Sequence, residues 1–191
     1  MDMVSEKIIN EVKEFAIGES KKYLSPTPFA VQLSLKKGIE LAKKLSARGD
    51  IVALGVLLMD CQLGVAVKER RIKDHVDMSA EKTRELLQAM DLDKSLINMV
   101  VKCVKEHHGS ENFSSLESEI CCNADCYRFI SVNGFLGSFR YVYPEMDFHD
   151  FITLIKEKVE EKCNALSLDI CKKELEPQYK AIKSLLEKYK D

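Results

Sequence analysis

His75, His107 and His108, three of the four histidines in this sequence, fall where helical patterning directs side chains inward. Two carboxylates, Asp60 and Asp125, are embedded in apolar helical runs. An imidazole or carboxylate buried without a partner is costly, so gathering five such groups in a small helical protein points to a metal or phosphate site. The clearest case is the pair His107-His108. The stripe before it is Ile97, Val100, Val101 and Val104, and steps of three and four residues from Val104 land on both histidines. Neutral imidazole there can bind a metal through one ring nitrogen while the other takes a second partner. The plain alternative is that the two histidines complement the negative end of their helix from half-solvated positions.

Asp60 closes the most apolar helix of the chain, where the helix dipole disfavours a carboxylate. A bound metal or an arginine should offset it, unless the helix simply surfaces there and water does so. Asp125 lies within Ile120-Cys-Cys-Asn-Ala-Asp-Cys-Tyr-Arg-Phe-Ile130, and Arg128, three residues on, is available as an ordinary ion-pair partner. His75 stands at a predicted helix start, a common place for a surface histidine. In the basic run Lys68-Glu-Arg-Arg-Ile-Lys73, Arg70, Arg71 and Lys73 could neutralise phosphate oxygens, or the run is a solvated turn.

The elements that must position these groups are helical throughout. Apolar spacing predicts helices over 4–24 and 29–45, separated by Ser25-Pro-Thr-Pro28, with Gly38 admitting a close neighbour. Asp50 is expected to cap a buried helix over 51–61. Asp74 should cap a helix to about Met90, and Asp93 another to His108, closed by Gly109. Further helices are expected over 116–131, 148–166 and 168–190, with Asn133-Gly134 as a turn. Pro177 should kink the last helix or lie in its first turn. The expected fold is a single all-α domain over 1–191, a multi-helix bundle with a core at about 28–131, an N-terminal helix and C-terminal helices at about 147–190.

Composition narrows the function classes. Apolar residues make up 46% and charged residues 31% of the 191, with a net charge of -2, so a nucleic acid polymer is not an expected partner. The longest apolar stretch, Ile51 to Met59, meets Asp60 and is too short to cross a bilayer. The first residues carry acids and form no secretory leader, and the odd count of 7 cysteines has no disulfide spacing. Together these place the chain in a reducing cytoplasm, away from membranes. Cys121, Cys122 and Cys126 read as packing rather than ligands. The last amphipathic helix is expected to pack on the core or on a second subunit, making a homodimer.

The order and helical context of Met59-Asp60, Lys73-Asp-His75, Val104-Lys-Glu-His-His-Gly109 and Asn123-Ala-Asp125 resemble the HD-domain superfamily of metal-dependent phosphohydrolases over about 28–131. That resemblance implies a His-Asp doublet at the end of a buried helix, but here its histidine is Met59. The family's first histidine aligns with Ala30, with Gln32 and Ser34 the nearest polar substitutes, and a lysine often found after the doublet is Leu63. The surviving ligands, Asp60, His75, His107, His108 and Asp125, are those that the resemblance assigns to a second metal. The implied protein holds one divalent ion (Mn, Fe, Mg or Zn) and hydrolyses a phosphate ester such as a nucleotide, with Asp60 or Asp125 taking a proton from water. The alternative is a catalytically inactive relative that binds a nucleotide or a protein partner.

Overall fold

A computed structural model describes residues 3–139 and 146–189. All regular structure among them is helical: α1 (Glu6–Tyr23), α2 (Pro28–Leu45), α3 (Gly49–Leu58), α4 (Leu63–Lys68), a 3-10 turn (Ile72–Asp74), α5 (His75–Ala89), α6 (Lys94–Glu106), α7 (Leu116–Ile130), α8 (Val132–Phe139), α9 (Phe148–Ala165) and α10 (Asp169–Glu187). The chain is thus an all-α bundle with added N- and C-terminal helices.

The helix starts follow from local chemistry. Ser5, Thr27, Asp93, Ser115 and Asp147 each accept a backbone N–H from the first turn of the helix they precede, satisfying donors that have no partner inside the helix. Asp50 and Asp74 do otherwise. Asp50 lies inside the first turn of α3, where it accepts Val4 N–H at 2.9 Å and pairs with Arg48. Asp74 turns to Arg71 at 3.0 Å instead of capping α5.

Helix α3 is the axis. Every side chain from Ile51 to Met59 is buried, and α1, α2, α6 and α7 pack around it. The stretch Gly49–Lys68 is long and apolar enough to cross a membrane, but 78% of its most apolar window is buried inside the fold. That is the situation of a core helix. Gly38 brings α2 within 3.0 Å of Val52, measured from where its Cβ would stand. The buried face of α2 runs through Val31, Ser34, Gly38 and Leu41, and leaves Ile39 exposed.

Asn133-Gly134 is not a turn; both residues lie in α8. A Cβ on Gly134 would come within 2.1 Å of Tyr127 O and 2.5 Å of Arg128 O, so the glycine is there to let α8 lie against the end of α7. Pro177 sits well inside α10, beyond its first turn. The turn between α9 and α10 is held by Asn123 of α7, whose Oδ1 accepts the N–H of Ser167 at 3.3 Å and of Leu168 at 3.2 Å. This fixes α9 against α7.

All the cysteines are free, and all but Cys163 are buried. Burial pushes the Cys61 thiol up to about 12, which leaves almost no thiolate near neutrality. A disulfide reagent at pH 8 should therefore label about one thiol per folded chain and the full 7 in denaturant. Rapid labelling of several thiols in the folded chain would contradict this packing.

Candidate metal and phosphate site

Asp60 stands just beyond the end of α3, His75 opens α5, and His107 and His108 follow the last residue of α6. These separate helix ends converge. One ligand atom from each of Asp60, His75, His107 and His108 lies within 4.8 Å of all the others. His75 Nε2 is 3.5 Å and His107 Nε2 3.3 Å from Asp60 Oδ1, and the Nε2 atoms of His75 and His108 are 3.1 Å apart.

Hydrogen-bond partners assign the tautomers of His75 and His107. A carbonyl oxygen can only accept, so His75 Nδ1–H donates to Ile72 O and His107 Nδ1–H to Val104 O, both at 2.6 Å. His108 Nδ1 lies 2.9 Å from Glu161 Oε1 and 2.8 Å from Lys162 Nζ. Glu161 can only accept from this nitrogen and Lys162 can only donate to it, so the two partners favour opposite tautomers, and the Glu161 bond is the one that leaves Nε2 free. With Nδ1 so engaged, the Nε2 atoms of the three rings lie together beside Asp60, the arrangement in which an outer hydrogen bond orients a metal ligand. His107 is fully buried, and apart from the 3.3 Å approach of Asp60 Oδ1 its Nε2 has no hydrogen-bond partner among the described residues. Lone pairs converging at these distances repel one another unless a proton or cation lies between them. One carboxylate oxygen and three imidazoles suit Mn, Fe or Zn.

Asp125 belongs to the next layer. Its Oδ1 is 3.1 Å from Arg128 Nη1, and its Oδ2 is 2.7 Å from Lys162 Nζ. Arg128 Nη1 also contacts Asp60 Oδ2, and its Nε donates to Ser34 Oγ at 2.7 Å. The guanidinium thus bridges the two carboxylates, supplying the offsetting charge that Asp60 requires at a helix C-terminus. Its Nη2 is buried without a partner. Burial pushes the Asp60 and Asp125 carboxyls up, but neighbouring charge outweighs it and both end below the ordinary range. His107 and Arg128 act on Asp60, and Lys162 and Arg128 on Asp125. For Lys162, burial pulls the ammonium down while Asp125 and Glu161 raise it further. Burial lowers His108, favouring the neutral imidazole.

A cavity of about 220 Å³ opens onto this cluster, with Asp60, His75, His108, Asp125, Arg128, Lys158 and Lys162 at its charged end. Arg70, Arg71 and Lys73 do not line it. All three are exposed, Arg71 being paired with Asp74 and Glu69.

No family model and no curated protein matches the sequence. Solved structures do. One described as a predicted HD superfamily hydrolase, from an uncultured Thermotogales bacterium, superposes with a TM-score of 0.68 over 93% of this chain and 88% of its own, at 17% identity. A Lactobacillus plantarum protein gives 0.70 over 97% and 96% at 15% identity. Bacillus subtilis YpgQ, solved in complex with ADP, gives 0.65 over 95% and 92% at 13%. This chain has the HD-domain fold.

The likeness of fold reaches well beyond 28–131, and the helices outside that stretch matter to this cluster. Helix α9 delivers Lys158, Glu161 and Lys162, which the sequence reading did not select. The clue was present: Phe151, Ile155 and Val159 form a buried stripe, and three residues on from Val159 is Lys162, which is only 1% exposed. Of the two positions that the resemblance aligns with family histidines, Ala30 lines the cavity and Met59 is fully buried. Ser34, one turn from Ala30, is bound to Arg128.

Proposed function

We propose that this chain is a metal-dependent phosphohydrolase acting on a phosphate ester, a class that includes nucleotides, with an altered one-metal site. Among the described residues three buried side-chain atoms lack a hydrogen-bond partner, His107 Nε2, Asp125 Oδ1 and Arg128 Nη2, and the first and last support this reading most directly. His107 Nε2 offers a buried lone pair, and Arg128 Nη2 offers a buried N–H. The first suits a cation and the second an anionic oxygen, so a phosphate near a metal satisfies both. The ADP bound by YpgQ is in keeping with a phosphate-bearing ligand.

Asp60, His75, His107 and His108 would hold the ion. When bound, it lowers the pKa of a water molecule and polarises a phosphoryl oxygen. The chain's own groups do the rest. Arg128 donates Nη2–H to a phosphate oxygen, a charge-assisted bond, while Ser34, Asp60 and Asp125 fix its plane. Asp125 has an ion-pair contact on each oxygen and acts as a positioning residue. Glu161 keeps His108 in the tautomer that faces the ion. Lys158 at the cavity edge adds positive charge that attracts the anion.

A second reading has its own support. Arg128 and Lys162 already balance Asp60 and Asp125 in charge, so the site is stable without an ion and could serve an inactive ligand-binding relative.

Metal content separates the two. Protein prepared without chelator should retain about one Mn²⁺, Fe²⁺ or Zn²⁺ per chain. His107→Ala should weaken Mn²⁺ binding by at least about 100-fold, more than loss of an outer partner costs. The half-buried His75→Ala gives a variant less exposed to folding defects. Phosphate release from a panel of monoesters and nucleotides with Mn²⁺ should vanish in Asp60→Ala. A folded wild-type chain that takes up no ion at millimolar metal would overturn the hydrolase reading and favour the second.

A further inference from the structure

We propose that the ester this site takes carries an apolar, ring-sized alcohol rather than a nucleoside; this rests on the hydrolase reading and names its substrate class. The cavity is charged only at the end that holds Asp60, His75, His108, Asp125, Arg128 and Lys162, with Lys158 beside them. The rest of its described lining is mostly apolar, with Phe29, Leu33, Leu63, Val67, Phe129 and Phe151 as its bulkier members. The remaining lining holds three hydroxyls, on Ser25, Thr27 and Ser138, and two of them serve their own helices. Thr27 Oγ1 accepts Ala30 N–H at 3.1 Å, and Ser138 Oγ donates to Phe135 O at 2.6 Å.

A nucleobase carries several ring and exocyclic donors and acceptors, and each left unpaired against such a wall weakens binding by roughly tenfold or more. A hydrocarbon ring loses nothing there and gains from burial. Apolar cavities of about 150 Å³ accept benzene, and this cavity, its charged end included, is about 220 Å³, room for a phosphate and no more than a small ring. The wall is also built before any ligand arrives. A Cβ on Gly137 would fall 2.0 Å from the Phe29 ring, so Phe29 already lies against α8.

Phosphonates test this without turnover, because their P–C bond resists hydrolysis. The Mn²⁺-loaded full chain would be titrated calorimetrically with methylphosphonate, benzylphosphonate and the 5′-phosphonate analogue of AMP. Benzylphosphonate should bind at least about tenfold tighter than methylphosphonate, and the adenosine compound no tighter than methylphosphonate. Ala30→Phe fills the cavity and should collapse the ratio of benzyl- to methylphosphonate affinity. Val67→Trp, at a 38% exposed rim position, does the same with less demand on folding.

Benzylphosphonate that binds no better than methylphosphonate, or an adenosine compound that binds best, would overturn the apolar assignment. Mn²⁺-dependent phosphate release would in that case still support the hydrolase reading. If no phosphonate binds to metal-loaded protein, both fall together.

Discussion

Asp125→Ala should destabilise the fold by about 3–5 kcal/mol, the usual cost of removing one partner from a buried ion pair. Two cations depend on this carboxylate. Lys162 and Asp125 have side chains 1% and 2% exposed, and Arg128, 5% exposed, contacts the other oxygen. Without Asp125, Lys162 keeps Glu161, at 2.9 Å and 37% exposed, as its one carboxylate among the described residues, and Arg128 keeps Asp60. The penalty therefore comes from stranded charge, not from lost packing. This can be separated experimentally. Lys162→Met in the Asp125→Asn background removes the stranded ammonium and should recover a large part of the loss. Urea unfolding of the wild type, both single variants and the double gives the coupling directly. A loss under about 1 kcal/mol for Asp125→Ala would place these groups in the range of exposed pairs and contradict their burial.

How much of the site could be read from residues alone depended on what each one needed to reveal itself. His107 and His108 were visible because they continue an apolar stripe, and periodicity fixes the direction of a side chain. Asp60 was visible because a carboxylate at the negative end of a buried helix requires a counter-charge. The pairing of Asp125 with Arg128 followed from three-residue spacing, but the bridge from Arg128 to Asp60 did not, since it joins helices far apart in sequence. Lys162 continues a stripe as plainly as His107 does, yet a lysine usually extends its stem to carry its charge into water. Only the acids facing it, Asp125 and Glu161, explain its burial. Arg70, Arg71 and Lys73 show the opposite failure. Charge alone says nothing about orientation, and their turn points them to solvent. The helices were legible in place, except that α4 was not expected, the helix read over 51–61 ends at Leu58, and Gly134 was read for its flexibility. Its smallness is what α8 requires there.

Arg128→Gln should change the cluster's chemistry as well as lower its stability, since it strands two buried carboxylates. The guanidinium touches both carboxylates and is anchored by Ser34, beside the position where the resemblance to the family places a lost metal-binding histidine. We infer that it serves as a built-in cation in place of a second ion. Glutamine keeps most of the volume and removes the charge, which leaves Asp60 and Asp125 with less positive charge between them. A second Mn²⁺ should then bind, moving calorimetric stoichiometry from about one ion per chain toward two. Adding Ala30→His and Met59→His should tighten that second ion by supplying imidazole where the wild type has none. The same substitution removes the unpaired Nη2–H, and losing a charge-assisted bond of about 1.5–3 kcal/mol should weaken phosphate binding at a fixed metal load by about 10–150-fold. The two readouts move in opposite directions, toward more metal and less phosphate, and general loosening of the bundle would lower both. A stoichiometry that stays at one with unchanged phosphate affinity would reduce Arg128 to a structural tie between α2, α7 and Asp60. Two bound ions in the unmodified chain would show that the arginine replaces nothing.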